Sequence, residues 1–459
     1  MILECFKQKV NKHCVNKLPS LFISIPNSCT AMLNLSRLCR CKQSLSAVQS
    51  KLLVSSRNGF SNSIISRQII TTTKMHRYNI LGRFSLSSTI KSNSIIMRFC
   101  SSTPKPKTSR AVGYWLLGCS GMVFTAVVLG GVTRLTESGL SMVTWRLLGE
   151  KMPTNEEEWQ KEFEKYQQYP EFKYKNQNIT FSDFKWIWYM EFAHRTWGRA
   201  IGAAMFLPAA YFWYRGMLLP DMKIRVAVYC GLVAAQGLMG WYMVKSGLED
   251  RFHGPSDVPR VSQYRLAAHL SLAFILYAGL LGGALRVLRP FPAAATLQKI
   301  KELKSITGLA HAVKAMTFIT AVSGAFVAGL DAGLVYNSFP KMGDNWLPDD
   351  ILAFSPTIKN FTENPTTVQF DHRVLGASTL AAASTLWLLS RRRPLSPGAR
   401  AAARALAAMA WMQAGLGVAT LLCYVPTALA ASHQAGSLVL LSLAVWLTHE
   451  VKLLKYIPK

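Results

Sequence analysis

Eight long apolar stretches decide what this chain can become. They run at about 111–133, 187–214, 226–244, 262–285, 306–329, 367–389, 401–422 and 429–449 of 459 residues. Each approaches the roughly twenty residues that carry a helix across a bilayer's hydrocarbon core. No water reaches backbone N–H and C=O groups there, so a helix that pairs them internally is favoured. The expectation is an all-α membrane protein with eight transmembrane helices. Length alone suggests two or three soluble domains, but half the residues are hydrophobic and they are gathered in runs.

Charge orients those spans. Loops 215–225, 286–304, 390–400 and the tail 450–459 hold 15 Lys and Arg and three acids, with Arg391-Arg392-Arg393 the densest run. Loops 134–186, 245–261 and 331–365 hold 13 bases and 17 acids. The positive-inside rule places the first set, and both chain termini, on the inner side of the membrane, which is the matrix side if residues 1–110 target the chain to the inner mitochondrial membrane. The other set then faces the intermembrane space. In loop 134–186 the stretch Glu156 to Tyr169 has the pattern of an amphipathic surface helix, either capping the bundle or simply solvated.

The formal net charge is +29, and much of it sits in residues 1–110. That segment has 18 Lys and Arg against one acid, Glu4, and is rich in Ser and Asn. Basic, Ser-rich and acid-poor describes a disordered mitochondrial presequence. The stretch from Met75 (Met75-His-Arg-Tyr-Asn-Ile-Leu-Gly-Arg-Phe-Ser) reads as such a signal by itself, so that a start at Met1 and a start at Met75, with 1–74 an upstream extension, are both open readings. A nucleic-acid-binding arm is the competing reading; the spans that follow weigh against it, and no nucleic-acid partner is expected. Six of nine cysteines lie in this leader. Cys119, Cys230 and Cys423 are scattered, without a CxxC, so neither a disulfide framework nor a zinc site is expected.

The spans divide four and four. Glu191-Phe-Ala-His194-Arg195-Thr-Trp-Gly198 recurs, 178 residues on, as Gln369-Phe-Asp371-His372-Arg373-Val-Leu-Gly376. Four is even, so both halves run the same way: two parallel four-helix-bundle repeats about an axis along the membrane normal. Ala268-His269 pairs with Ser432-His433, and Gln236-Gly-Leu-Met-Gly240 with Gln413-Ala-Gly-Leu-Gly417. Gly130-Gly131 and Gly324 close the first span of each half, where small residues allow close helix packing. The expected divisions are the leader 1–110, an N-terminal half 111–289 and a C-terminal half 290–459.

Of nine histidines, His13 and His76 lie in the leader, His253 in an outer loop, and His311 and His449 near the matrix side; these five are read as bystanders. His194, His269, His372 and His433 each lie just inside the outer end of an even-numbered span. Each half thus offers two imidazoles at matching depth, and such a pair can be the axial ligands of a haem iron. The plainer alternative is an interhelix hydrogen-bond cluster. A bare zinc or iron site would ask for further protein ligands. Arg195 and Arg373 are candidate partners for haem propionates, or else snorkel to the interface. Outside the loops the acids are Glu191 and Asp371. Glu191 is one turn from His194 and shares its face; Asp371, adjacent to His372, points elsewhere. A carboxylate beside one haem can move protons, and Gln369 cannot ionise. The halves are therefore expected to have diverged, the first reactive and the second a fixed electron-passing cofactor. The alternative is a Glu191 that only hydrogen-bonds.

The chain resembles the haem A synthases, in their mitochondrial and alphaproteobacterial branch. The resemblance is carried by Gly130-Gly-Val-Thr-Arg-Leu-Thr-Glu-Ser-Gly-Leu-Ser-Met142, Phe184-Lys through Glu191-Phe-Ala-His-Arg195, Gln236-Gly-Leu-Met-Gly-Trp-Tyr-Met-Val244, Tyr264-Arg-Leu-Ala-Ala-His269, Gly329-Leu-Asp-Ala-Gly-Leu-Val-Tyr-Asn-Ser-Phe-Pro340 and Gln369-Phe-Asp-His-Arg-Val-Leu-Gly376. It implies an oxidoreductase that oxidises the C8 methyl of haem O to a formyl group, supplying haem A to cytochrome c oxidase. It implies two successive hydroxylations with water as oxygen source. It also implies a haem b cofactor on His372 and His433, a substrate haem O site at His194 and His269, and a required glutamate at Glu191. Expected partners are a ferredoxin-type redox protein, the haem O synthase and a second copy of this chain. Some bacterial members carry a cysteine pair in outer loops, which this chain lacks. Two other readings compete: a di-haem b-type electron carrier, and a haem transporter or chaperone.

Overall fold

A computed structural model describes residues 108–249, 259–290 and 303–453. The leader up to residue 107, and with it the presequence expectation, lies outside the described residues, as does His253. Eight long helices dominate: α1 Arg110–Leu135, α2 Phe181–Tyr214, α3 Pro220–Leu248, α4 Gln263–Leu288, α5 Leu303–Gly329, α6 Pro365–Ser390, α7 Pro397–Leu422 and α8 Thr427–Leu453. Six of them are long and apolar enough to cross a membrane: α1, α3, α4, α5, α7 and α8. The other two, α2 and α6, carry the ionisable His-Arg motifs.

Several helices start earlier than the apolar runs because polar caps extend them. The Thr180 side chain accepts from Asp183 N and starts α2 six residues before the apolar run. The Asn364 and Ser396 side chains cap α6 and α7, each followed by proline in the first turn. Proline is tolerated there because its missing N–H has no intrahelical partner to lose.

Each set of four packs in the same cyclic order. In the first, α1 lies against α2 and α4, and α3 against the same two. In the second, α5 lies against α6 and α8, and α7 against the same two. Across the sets, α4 meets α5 and α8, and α1 meets α8. All eight belong to one compact unit, Thr103–Lys459. One apolar cluster fills the first set, including Met205, Phe274 and Leu280, with Leu438 and Leu441 reaching in from α8. Another fills the second. There α7 presents Ala399, Ala402, Ala403, Ala407 and Ala410, all buried, and small residues let neighbouring helices approach closely.

The chain leaves α1 and α5 in the same way. Glu137 and Asp331, each two residues past the helix, are both left-handed, with φ of 54° and 52°. The expected surface helix is present as Glu156–Gln167. It is more than a solvated face: Trp159 and Tyr166 are buried against Phe184 and Trp188 at the start of α2. The Tyr166 and Phe184 rings stack at 5.3 Å, and Trp159 meets Trp188 edge-on at 5.0 Å.

Candidate functional site

Helix packing seats the four histidines by one repeated device. Each lies on an even-numbered helix and meets a glycine of the preceding odd one. A Cβ at Gly130 would lie 2.8 Å from His194 Cε1; at Gly240, 3.1 Å from His269; at Gly324, 3.2 Å from His372; and at Gly417, 2.9 Å from His433. Real Cβ contacts are rarely so short, so an absent side chain makes room for each ring. One turn before two of these glycines stands a glutamine. Gln236 donates to the His269 carbonyl at 3.0 Å, and Gln413 to that of His433 at 2.7 Å.

The two rings of the second half face one another. His372 and His433 have centroids 6.4 Å apart and planes at 83°. A shared metal would stand about 2 Å from each nitrogen, and each ring centre lies roughly 1 Å behind its nitrogen, so the spacing fits axial ligation from two sides. In the first half His194 and His269 occupy the matching seats at Gly130 and Gly240. Nδ1 of each is buried without a hydrogen-bond partner. Among the described residues no three of His, Cys, Asp and Glu converge on a common point. Two imidazoles leave most of a metal's coordination shell to another donor set, which a porphyrin supplies.

Glu191 is 2% exposed. Its Oε2 accepts from Ser141 Oγ at 2.8 Å and from Met142 N at 2.7 Å, and Oε1 pairs with Arg195 Nη2 at 2.5 Å. Arg195 also donates to the Thr144 and Met142 carbonyls, and Arg199, one turn on, to those of Leu147 and Arg146. Three side chains at four-residue intervals thus hold the non-helical segment 141–147 along α2, satisfying backbone groups that a helix would have satisfied itself.

The second half repeats this around an amide. Gln369 donates to the carbonyls of Ala332 at 2.8 Å and Tyr336 at 3.2 Å, and its Oε1 accepts from Arg373 at 3.1 Å. Arg373 donates to the Tyr336 and Lys341 carbonyls. Arg195 and Arg373, candidate propionate partners by sequence, therefore spend donors on loop carbonyls and on residue i−4. Asp371 is half-buried beside His372. His449, read as a bystander, approaches the Arg289 carbonyl at 3.1 Å, next to an ion pair between Arg289 and Glu450.

Comparison with known proteins decides the family. Residues 113–445 match the family described as cytochrome oxidase assembly protein (COX15-CtaA). "Heme A synthase COX15" of Bos taurus is 56% identical over 359 residues, 78% of this chain and 85% of that one. "Heme A synthase COX15" of Arabidopsis thaliana is 47% identical, covering 78% and 79%. "Heme A synthase" of Nitrosospira multiformis is 42% identical, covering 75% and 94%. The chain belongs to the haem A synthase family. In this family member the four histidines and Glu191 stand out in the sequence, and what surrounds them does not. The Gln-to-Gly spacing of 236–240 and 413–417 was visible as part of the repeat, without marking the ring seats. The four-residue step from Glu191 to Arg195 was visible as a helical ion pair. Ser141 and Met142 left no signal of their contact, because their partner Glu191 is distant in sequence.

Proposed function

We propose that this chain is a haem A synthase, oxidising the C8 methyl of haem O to a formyl group for cytochrome c oxidase. The observation that carries this reading is the seating of four histidines on four glycines, with a carboxylate, Glu191, where the second half has the amide Gln369. His194 and His269 would hold the substrate haem O. His372 and His433 would hold a haem b, which supplies one-electron transfer when bound. The net change is CH3 plus H2O to CHO plus four protons and four electrons. Two waters enter in successive hydroxylations and one leaves as the geminal diol collapses to the aldehyde. Glu191 accepts protons released at the methyl or the attacking water, while Ser141, Met142 N–H and Arg195 fix the direction of its carboxylate. The electrons leave to a redox partner of ferredoxin type.

All eight long helices are read as crossing the inner mitochondrial membrane, with both termini in the matrix and residues 1–110 as the targeting leader. The shared packing order of α1–α4 and α5–α8 supports two parallel repeats. In α2 and α6 the arginines turn to loop carbonyls rather than to lipid, which lowers the cost of carrying charge in a span. The test is to express the chain with a source of haem O and assay extracted haems for haem A. Wild type is expected to produce it, and Glu191→Gln to retain haem without turnover. Haem A formed at the wild-type rate by Glu191→Gln would remove Glu191 from the chemistry. Bound haem with no conversion by wild type would favour an electron carrier, and labile haem with no conversion a transporter.

A further inference from the structure

The two histidine pairs are seated alike but not anchored alike. In the second half Nδ1 of His372 lies 2.7 Å from Ser323 Oγ. The same hydroxyl donates to the Thr320 carbonyl at 2.7 Å. A hydroxyl has one proton, so toward the ring its oxygen accepts. His372 then carries its proton on Nδ1 and leaves Nε2 with a bare lone pair. That is the tautomer a metal ligand needs, and a partner on the far nitrogen also fixes ring direction.

The first half lacks this anchor. Ser323 immediately precedes Gly324, the seat of His372; the residue preceding Gly130, the seat of His194, is Leu129. Nδ1 of His194 has no hydrogen-bond partner, and neither has Nδ1 of His269. The glutamines supply no such acceptor, because each turns an NH2, which only donates, toward its ring. Gln413 approaches His433 at Nδ1, 3.2 Å away, whereas Gln236 approaches His269 only at Nε2, 3.4 Å away. The seats repeat between halves; the serine does not.

Resting on the reading of these histidines as haem-iron ligands, we infer that Ser323 is a positioning residue that makes the second half a retaining haem site, and that Leu129 in its place makes the first half a releasing one. An enzyme whose substrate and product are both haems needs this division. One haem must stay through many turnovers, while the other must arrive and leave in each. A ring locked through Nδ1 keeps its lone pair on the iron. A ring with no partner on Nδ1 turns more easily and lets go sooner.

The test uses the full chain, purified with haem bound and challenged with excess apomyoglobin, while haem loss is followed optically and the low-spin ferric spectrum is recorded. Ser323→Ala is expected to release the retained haem about tenfold faster or more and to alter its low-spin signal. Ser323→Thr keeps an acceptor oxygen and is expected to behave as wild type. Leu129→Ser supplies the missing anchor and is expected to slow loss from the first half. His372→Ala separates the two levels of the argument: if the retained haem survives that change, the ligand assignment itself fails. If His372→Ala abolishes the retained haem while Ser323→Ala matches wild type in rate and spectrum, the ligands stand and Ser323 has no such role. Should Ser323→Ala not fold, Leu129→Ser decides, and unchanged loss from the first half overturns the inference.

Discussion

A carboxylate only accepts hydrogen bonds, whereas an amide both donates and accepts, and Glu191 and Gln369 are each matched to their loops on that ground. Glu191 faces a hydroxyl, a backbone N–H and a guanidinium, all donors. Gln369 turns its NH2 to two carbonyls and its oxygen to Arg373. Gln369→Glu would set an acceptor against the Ala332 and Tyr336 carbonyls. A buried group left unsatisfied costs about 1–3 kcal/mol, so the variant is expected to melt lower at neutral pH and partly recover on acidification, when the new carboxyl can donate. A second buried acid, Glu171, lies between the surface helix Glu156–Gln167 and α2. Glu171 is held by the Tyr166 hydroxyl at 3.1 Å, and burial pushes its carboxyl up to about 8, with the nearby Glu191 charge adding to the rise. The folded state therefore binds a proton that the unfolded chain, with its ordinary carboxyl, has already lost between about pH 4.5 and 8. Stability from this group is complete below that window and falls as pH rises through it. Glu171→Gln is expected to flatten the fall, which melting curves across pH 5–9 would register as a higher midpoint than wild type at the alkaline end.

At the scale of the element, the helices were legible and their fine placement was not. Apolar runs announce eight long helices because a bilayer demands length and apolarity together. Thr180, Asn364 and Ser396 move several starts outward, by capping chemistry that hydropathy does not register. The histidines stood out as ionisable residues in apolar runs, but their seats did not, since a glycine in such a run has many uses. The seats make a sharp prediction. Gly417→Ala would bring a methyl to 2.9 Å from the His433 ring, whereas Gly415, two residues earlier on α7, has nothing within 4 Å of an added Cβ. Gly417→Ala is expected to lose the second-half haem. Gly415→Ala is expected to keep it and to gain up to about 1 kcal/mol from the better helix former. Pyridine haemochrome content and melting temperature of the two variants, prepared in parallel, would separate a ring clash from a general effect of alanine in α7.

Across the whole molecule, the halves are joined at several levels. Beyond the ends of α1 and α5, Asp331 accepts from Arg134 at 2.8 Å and from Arg260 at 3.4 Å. At the far end Arg289 pairs with buried Glu450, which also accepts from Trp446 Nε1 at 3.1 Å. Between them the ties are neutral: Tyr277 and Ser442 hydroxyls at 2.6 Å, and Gln434 donating to the Val127 carbonyl at 3.1 Å. Charge at the ends and neutral bonds in the middle is the arrangement that a membrane interior favours. The Gln434 tie is the one most tightly fitted. A Cβ at Gly131 would fall 1.9 Å from its Oε1, so the bond exists only because residue 131 has no side chain. Gly131→Ala must drive Gln434 out of place, losing the bond to Val127 and adding strain. Gln434→Ala loses the bond alone, a net contribution of about 1 kcal/mol. Once Gln434 is truncated, the methyl at 131 meets no obstacle, so the double variant should be much less destabilised than the two losses added together. Contacting residues commonly show such coupling at about 0.5–3 kcal/mol. A double-mutant cycle on detergent-solubilised protein would measure it, and strict additivity would mean that α1 and α8 do not meet through this pair.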